Sequence, residues 1–90
     1  MAKFAAGQIV GTPGALDAIA DAAQTATYFL GRHLSGDWGE VPAEDAASNE
    51  AALRYGERLI SAYRTRKDVR IWIITEHDRS VTTILLPEEY

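Results

Sequence analysis

The first half of the chain repeats hydrophobic positions with the 3.6-residue period of α-helices. Thr12 precedes Pro13 in the way that an N-cap residue precedes a proline at the first helical position. The apolar face of this first helix is predicted from side chains at helical spacing, namely Leu16, Ile19, Ala20 and Ala23.

Two further helices are predicted before the pattern changes. A short helix covers residues 26–34 and ends at residues 35–37, where Gly36 suits the left-handed conformation that often closes a helix. A third helix opens at Pro42 and runs to about Tyr55, with Gly56 at its end.

After Gly56 the period changes to two, which predicts β-strands over residues 58–63, 69–75 and 81–86. The run at 69–75 is apolar on both faces, as is typical of a central strand. Short connections between successive strands predict an antiparallel meander. A β-prone run at residues 8–10 adds a candidate edge strand. The predicted fold class is α+β, with two or three N-terminal helices packed on a C-terminal three-stranded antiparallel meander.

Composition narrows the class of protein. Ninety residues predict a single domain, residues 1–90. The absence of cysteine excludes disulfides, a thiolate nucleophile and cysteine-based zinc or iron–sulfur sites. No stretch resembles a signal peptide or a membrane span, so we expect a cytoplasmic protein without a membrane partner. No cofactor is expected.

The net charge of −4 argues against a general nucleic-acid binder, but the charge is unevenly distributed. The segment from Arg54 to Arg70 carries six cationic and two acidic side chains, and acidic stretches flank it. Internal ion pairing is one interpretation of this pattern. A local phosphate or RNA contact through the same segment is the other.

A first polar cluster surrounds the end of the second helix and the start of the third. His33 and Asp37 are four residues apart, as are Asp45 and Asn49, and Trp38 lies between the two pairs. In a structural interpretation, Asp37 caps, His33 donates to a carboxylate and Trp38 fills the core. Alternatively, His33 acts in acid–base chemistry. A third interpretation is a divalent-metal site with oxygens from Asp37, Asp45 and Glu40.

A second polar cluster follows the predicted strands. Its side chains offer cationic, hydroxyl, carboxylate and aromatic groups: Arg58, Ser61, Tyr63, Trp72, Thr75, Glu76, Asp78, Arg79 and Thr83. In one interpretation Asp78 forms a hairpin turn through its side chain and Arg79 pairs with a nearby acid. In the other, Arg58 and Arg79 hold an anionic group such as a phosphate.

Four strings carry a family resemblance: RHLSGDWG (residues 32–39), GERLISAY (56–63), IWIITEHDR (71–79) and LLPEEY (85–90). The chain resembles, from about residue 7 to residue 90, a family of small bacterial proteins without established activity, often called plasmid-related or hypothetical. These proteins are frequent on mobile genetic elements. The resemblance implies a bacterial cytoplasmic protein and transfers no catalytic role.

A weaker likeness exists at the level of architecture. Helices followed by an antiparallel meander, with a histidine in the helical part and arginines on the strands, are similar to small metal-independent RNases of the barnase and RelE type. By that likeness His33 is a candidate general base, and Arg58 and Arg79 are candidate stabilisers of a phosphorane.

The leading hypothesis is a non-enzymatic binding or accessory protein of a mobile element, whose partner is an unknown protein or a second copy. An RNase-like enzyme is the alternative, and a small-ligand or metal-binding module comes third.

Overall fold

The computed structural model describes residues 2–90 and contains three α-helices, four β-strands and a short 3₁₀ helix. In chain order they are β1 (Gln8–Gly11), α1 (Pro13–Asp21), α2 (Ala26–Leu34), α3 (Ala43–Tyr55), β2 (Leu59–Arg64), β3 (Arg70–Thr75), β4 (Val81–Leu85) and the 3₁₀ helix (Pro87–Glu89).

Local side-chain chemistry sets the ends of the helices, largely as predicted. The Thr12 hydroxyl accepts the Ala15 N–H at the start of α1, with Pro13 in the first turn. Gly56 ends α3 in the left-handed conformation with φ 70°, and Gly36 follows α2 with φ 86°. Both positions require a conformation that glycine adopts without a steric penalty.

The four strands form one mixed sheet in the order β1-β4-β3-β2. The pairs β2–β3 and β3–β4 are antiparallel, so the α+β class is confirmed and β3 is an interior strand as predicted. β2, β3 and β4 form the predicted antiparallel meander, and β1 is the predicted edge strand. The whole sheet is nevertheless not a simple antiparallel meander, because β1 joins it parallel to β4. Alternation of apolar residues carries no information on strand direction, which is why the sequence did not predict the parallel pair.

The main core lies between one face of the sheet and helices α1 and α2. Its fully buried members are Ala15, Ile19, Phe29, Tyr63, Ile71, Ile73 and Ile84. A second, smaller cluster joins Trp38, Ala52 and Leu59 beside α3. The helices therefore bury the sheet face that carries the odd-numbered residues of β2 and β3.

The predicted apolar face of α1 is wrong in part. The helix buries Ala15 and Ile19, whereas Leu16 and Ala20 are exposed. The Leu16 side chain instead lies against Gly11, whose missing Cβ leaves room for it. The helix is therefore rotated relative to the prediction, and Leu16 lies at the edge of the sheet rather than in the core.

Candidate functional site

His33 lies fully buried on α2, within a chain of hydrogen bonds that crosses three strands. Its Nδ1 is 2.6 Å from the Ser61 hydroxyl on β2, and its Nε2 is 2.9 Å from the Thr75 hydroxyl on β3. Thr75 Oγ1 is 2.7 Å from Thr82 Oγ1 on β4, and Thr82 donates to the Ala6 carbonyl at 2.7 Å. This network joins α2 to three strands and to the segment before β1.

The Ala6 carbonyl sets the direction of every bond in this network, because a carbonyl only accepts. Thr82 donates to it and therefore accepts from Thr75, which in turn accepts from the Nε2–H of His33. The ring then accepts the Ser61 hydroxyl proton at Nδ1. A neutral imidazole thus satisfies every member, and the predicted bond from His33 to a carboxylate is wrong: hydroxyls are its partners.

The surroundings of His33 keep the ring neutral. Burial, and then the nearby charge of Arg79, lower the pKa of His33 to about 4. The Phe4 ring closes the site. Its centroid lies 5.2 Å from that of the His33 ring, which it meets edge-on, and 6.3 Å from that of the Trp38 ring, on which it stacks. The segment before β1 therefore covers the histidine.

The outer edge of β2 is sealed by the loop that follows α2. Ala62 donates its N–H to the Trp38 carbonyl at 3.1 Å, and Glu40 donates its N–H to the Ala62 carbonyl at 2.7 Å. Gly39 lies between them with φ 73°, and a Cβ there would be 2.0 Å from the Ala62 carbonyl oxygen. Gly39 thus forms an isolated parallel bridge with Ala62, and a residue with a Cβ would clash at this position.

Asn49 extends the same seal. Its Nδ2 donates to the Ile60 carbonyl at 2.7 Å, and its Oδ1 accepts the Ile60 N–H at 3.1 Å. The buried side-chain amide therefore replaces the backbone of a neighbouring strand. Asp45, one turn earlier on α3, is exposed, whereas Asn49 is buried.

Trp38 anchors the sealing loop. Its ring is buried against Ala52 and Leu59, and its Nε1–H donates to Glu50 Oε2 at 2.8 Å. The predicted role of Trp38 as a core side chain is confirmed.

Asp37 and Tyr63 hold the start of the same loop. Arg32 donates to Asp37 Oδ2 at 2.7 Å, and its guanidinium lies 4.5 Å from the centroid of the Tyr63 ring. The Tyr63 hydroxyl donates to the Asp37 carbonyl at 2.6 Å. The hydrogen bond from Arg32 keeps the pKa of Asp37 below its ordinary value, and burial raises the pKa of Tyr63 to about 12.

Arg79 joins the turn between β3 and β4 to the end of α3. Its Nη1 donates to the carbonyls of Glu57 at 2.6 Å and Glu76 at 3.1 Å, and its Nη2 donates to the Ala52 carbonyl at 3.0 Å. Asp78 accepts the Ser80 N–H at 3.0 Å, which confirms its predicted part in the turn. The predicted pairing of Arg79 with an acid is wrong: backbone carbonyls are its partners.

Arg58 has different partners from Arg79. Its Nη1 donates to the Tyr90 hydroxyl at 2.7 Å, and its Nε lies 3.9 Å from Glu76 Oε1. The Tyr90 ring also meets the Trp72 ring edge-on, with 5.8 Å between the ring centroids. Thr83 is opposite Ile74 in the register and half-buried on the sheet face that carries Trp72.

The three predicted catalytic residues do not share an accessible cleft. His33 is fully buried, Arg79 binds backbone carbonyls and Arg58 binds Tyr90. Across residues 2–90, no three histidine or acidic side chains are grouped to hold a metal ion. A shallow depression on α3 is lined by other residues: Glu50, Ala51, Arg54 and Tyr55.

Acidic side chains bind several cations of the segment predicted to contact phosphate. Arg64 lies 2.8 Å from both Glu40 and Asp68, and Lys67 lies 3.3 Å from Asp21. Arg64, at the end of β2, therefore has two acidic neighbours. The predicted phosphate contact stays a prediction.

β1 is the open edge of the sheet. Gln8 and Thr12 donate their N–H groups to carbonyls of the β4 segment at 2.9 Å. Along a strand, the backbone N–H and C=O groups of successive residues point to opposite sides. Since the groups of Gln8 and Thr12 point towards β4, those of Ile9 and Gly11 point away from it. Within residues 2–90 no other strand pairs with this side of β1.

Apolar side chains flank the open edge. The exposed fraction is 49% for Ile9, 38% for Val10 and 43% for Leu16. The sequence predicts an edge strand at residues 8–10 but does not mark Ile9, Val10 and Leu16 as a site. The available signal was an edge strand without charge or proline, since those are the features that usually protect an edge from pairing.

A scan of protein-family models and searches of curated proteins and solved structures found no match to the chain. Across residues 2–90, no helix is both long and apolar enough to cross a membrane.

Proposed function

We propose that this protein is a non-enzymatic binding protein that accepts an extended strand of a protein partner along the free edge of β1. The observation that carries the proposal is the contrast between the two edges of the sheet. β2 is sealed by the Trp38–Glu40 backbone and by Asn49. By contrast, the outer backbone groups of β1 pair with no other strand among residues 2–90, and exposed apolar side chains lie beside them.

The contrast matters because an unpaired edge favours association with another strand. At β2 the backbone of Trp38–Glu40 and the side chain of Asn49 occupy the edge and prevent such association. At β1 the strand Gln8–Gly11 has no charged side chain, no proline and no covering loop within residues 2–90. Strand addition uses these features: backbone hydrogen bonds give affinity, and alternate side chains give specificity.

The polar chemistry elsewhere supports binding over catalysis. A general base must reach the proton that it removes, and His33 is buried with both ring nitrogens bonded to hydroxyls. The RNase-like alternative therefore has no exposed base at the predicted position. The setting on a mobile genetic element rests on the family resemblance alone.

A displayed library of random eight-residue peptides, selected on protein immobilised at low density, tests the proposal. We expect peptides with alternating β-branched or aromatic residues, because these fit a paired strand. Ile9→Pro removes an N–H that points away from β4, and Ile9→Lys places a charge on the edge. Both variants should lose the peptides. Tyr55→Lys, a change to an exposed hydrophobic side chain on α3, is the matched control and should keep them.

Circular dichroism melting checks that each variant is folded. Peptides that bind both Ile9 variants as well as the original protein would overturn the proposal, and so would a selection that enriches no extended peptide.

A further inference from the structure

We infer that the strand that occupies the β1 edge is β1 of a second copy, paired antiparallel about a two-fold axis that passes beside Val10. This inference rests on the proposed function and names its partner. Two four-stranded sheets would then form one continuous eight-stranded sheet.

The ends of β1 define the register of this pairing. Gly7 precedes the strand with φ 64°, which is outside the extended region, and Pro13 has no N–H to donate. The outward backbone groups of the strand are therefore those of Ile9 and Gly11. Only one two-fold register pairs all of them: Ile9 of each copy faces Gly11 of the other, and the two Val10 residues face each other.

The side chains fit this register. Ile9, on the helix-covered face, would lie over Gly11 of the second copy, which has no Cβ to obstruct it. The half-exposed Leu16 lies directly against that glycine and would contact the incoming Ile9. On the opposite face, Val10 would meet Val10. A β-branched pair directly opposite across an antiparallel ladder is favourable.

A second copy fits the edge better than a longer strand does. The outward groups extend over three residues, and the copy offers the same short set in reverse order. A longer partner strand would continue past Gly7 and Pro13, where this chain provides no continuing ladder. The short contact also belongs with small, transient interfaces, so we expect association only at high concentration.

Sedimentation velocity over a series of concentrations up to about 500 μM tests the inference, since transient interfaces require such concentrations. The original protein should shift from monomer to dimer. Val10→Lys and Val10→Glu should each stay monomeric, because two like charges would face each other at the axis. An equal mixture of the two should form dimers again, whereas Tyr55→Lys should dimerise like the original protein.

Cysteine cross-linking tests the register, and the chain has no cysteine of its own to interfere. Opposed residues in a non-hydrogen-bonded antiparallel pair have Cα atoms about 4.5 Å apart, within the range of a disulfide. Val10→Cys should therefore oxidise to a covalent dimer. Ile9→Cys should not, because its opposite residue is Gly11.

The outcomes separate this inference from the function on which it rests. A protein that stays monomeric at every concentration, or a dimer that Val10→Lys leaves intact, would overturn pairing through β1. Enrichment of extended peptides that need Ile9 would still support strand addition in that case. A failure of both experiments would overturn both proposals.

Discussion

Acid should destabilise this protein well above the pH at which carboxylates titrate, because His33 is neutral in the folded state. Its folded pKa of about 4 lies below the ordinary value of 6.5. Between these two values the unfolded chain binds more protons than the folded protein. The contribution of His33 is therefore fully present above pH 6.5 and is lost as the pH falls through 6.5 towards 4.

The size of the effect follows from the two pKa values. Linkage gives a loss of about 2 kcal/mol in the free energy of unfolding between pH 7.5 and pH 5, and about 3 kcal/mol by pH 4. The main structural cause is the burial of the ring, and the nearby charge of Arg79 adds to it. A protonated ring would in addition have to donate at both nitrogens. Ser61 donates to Nδ1 in the neutral network, so protonation would force its hydroxyl to turn away.

Urea unfolding at several pH values between 7.5 and 5, followed by circular dichroism, measures this loss. The range ends above the ordinary pKa values of Asp and Glu, so that histidine dominates the slope. His77 is the only other histidine and is exposed in the β3–β4 turn, so His77→Gln should keep the slope. His33→Gln should be less stable at pH 7.5 and should lose the slope.

A free energy of unfolding that stays constant from pH 7.5 to pH 5 in the original protein would refute this reasoning. The same slope in His33→Gln would assign the pH dependence to another group.

Two further changes test the seal on β2. Asn49→Ala should lower the free energy of unfolding by about 2–4 kcal/mol, because it leaves a backbone donor and acceptor unpaired; Ser48→Ala, exposed on the same helix, should change it by less than about 0.5 kcal/mol. Thermal and urea unfolding of the two variants would measure the difference, and equal effects would contradict the role given to Asn49. Gly39→Ala should cost about 3 kcal/mol or more because of the backbone clash and the positive φ, whereas Gly31→Ala, where a Cβ meets nothing within 4 Å, should raise stability by about 0.5–1 kcal/mol. A stabilised or unchanged Gly39→Ala would show that the loop does not pack on β2 as described.

The sequence predicted the parts of the fold that depend on local chemistry. Side chains within a few residues of each other determine the bounds 26–34 of α2, the N-cap at Thr12 and the left-handed Gly56. The direction of β1 does not follow from local chemistry, because β1 pairs with residues 73 positions later in the chain, as Gln8 does with Val81. The rotation of α1 was also hidden, since its alanine-rich surface offers apolar residues on more than one side.

The candidate site was predicted as separate residues and not as a site. The sequence places His33 in the first polar cluster and Ser61 and Thr75 in the second, because 28 and 42 residues separate the histidine from its partners. Asn49 was selected without its role. Its partner is the backbone of Ile60, and no pattern of residue types reveals a bond to backbone.

The seal on β2 limits what an association through β1 can build. A strand added at β1 lengthens the sheet at one end only, because the atoms of the chain itself already occupy the other end. Two copies joined at β1 would present a sealed β2 at each end, so the assembly would close at two and could not grow into a fibre through its strands. Asn49 and the GDWG loop (residues 36–39) would therefore prevent further copies from adding to the sheet at β2.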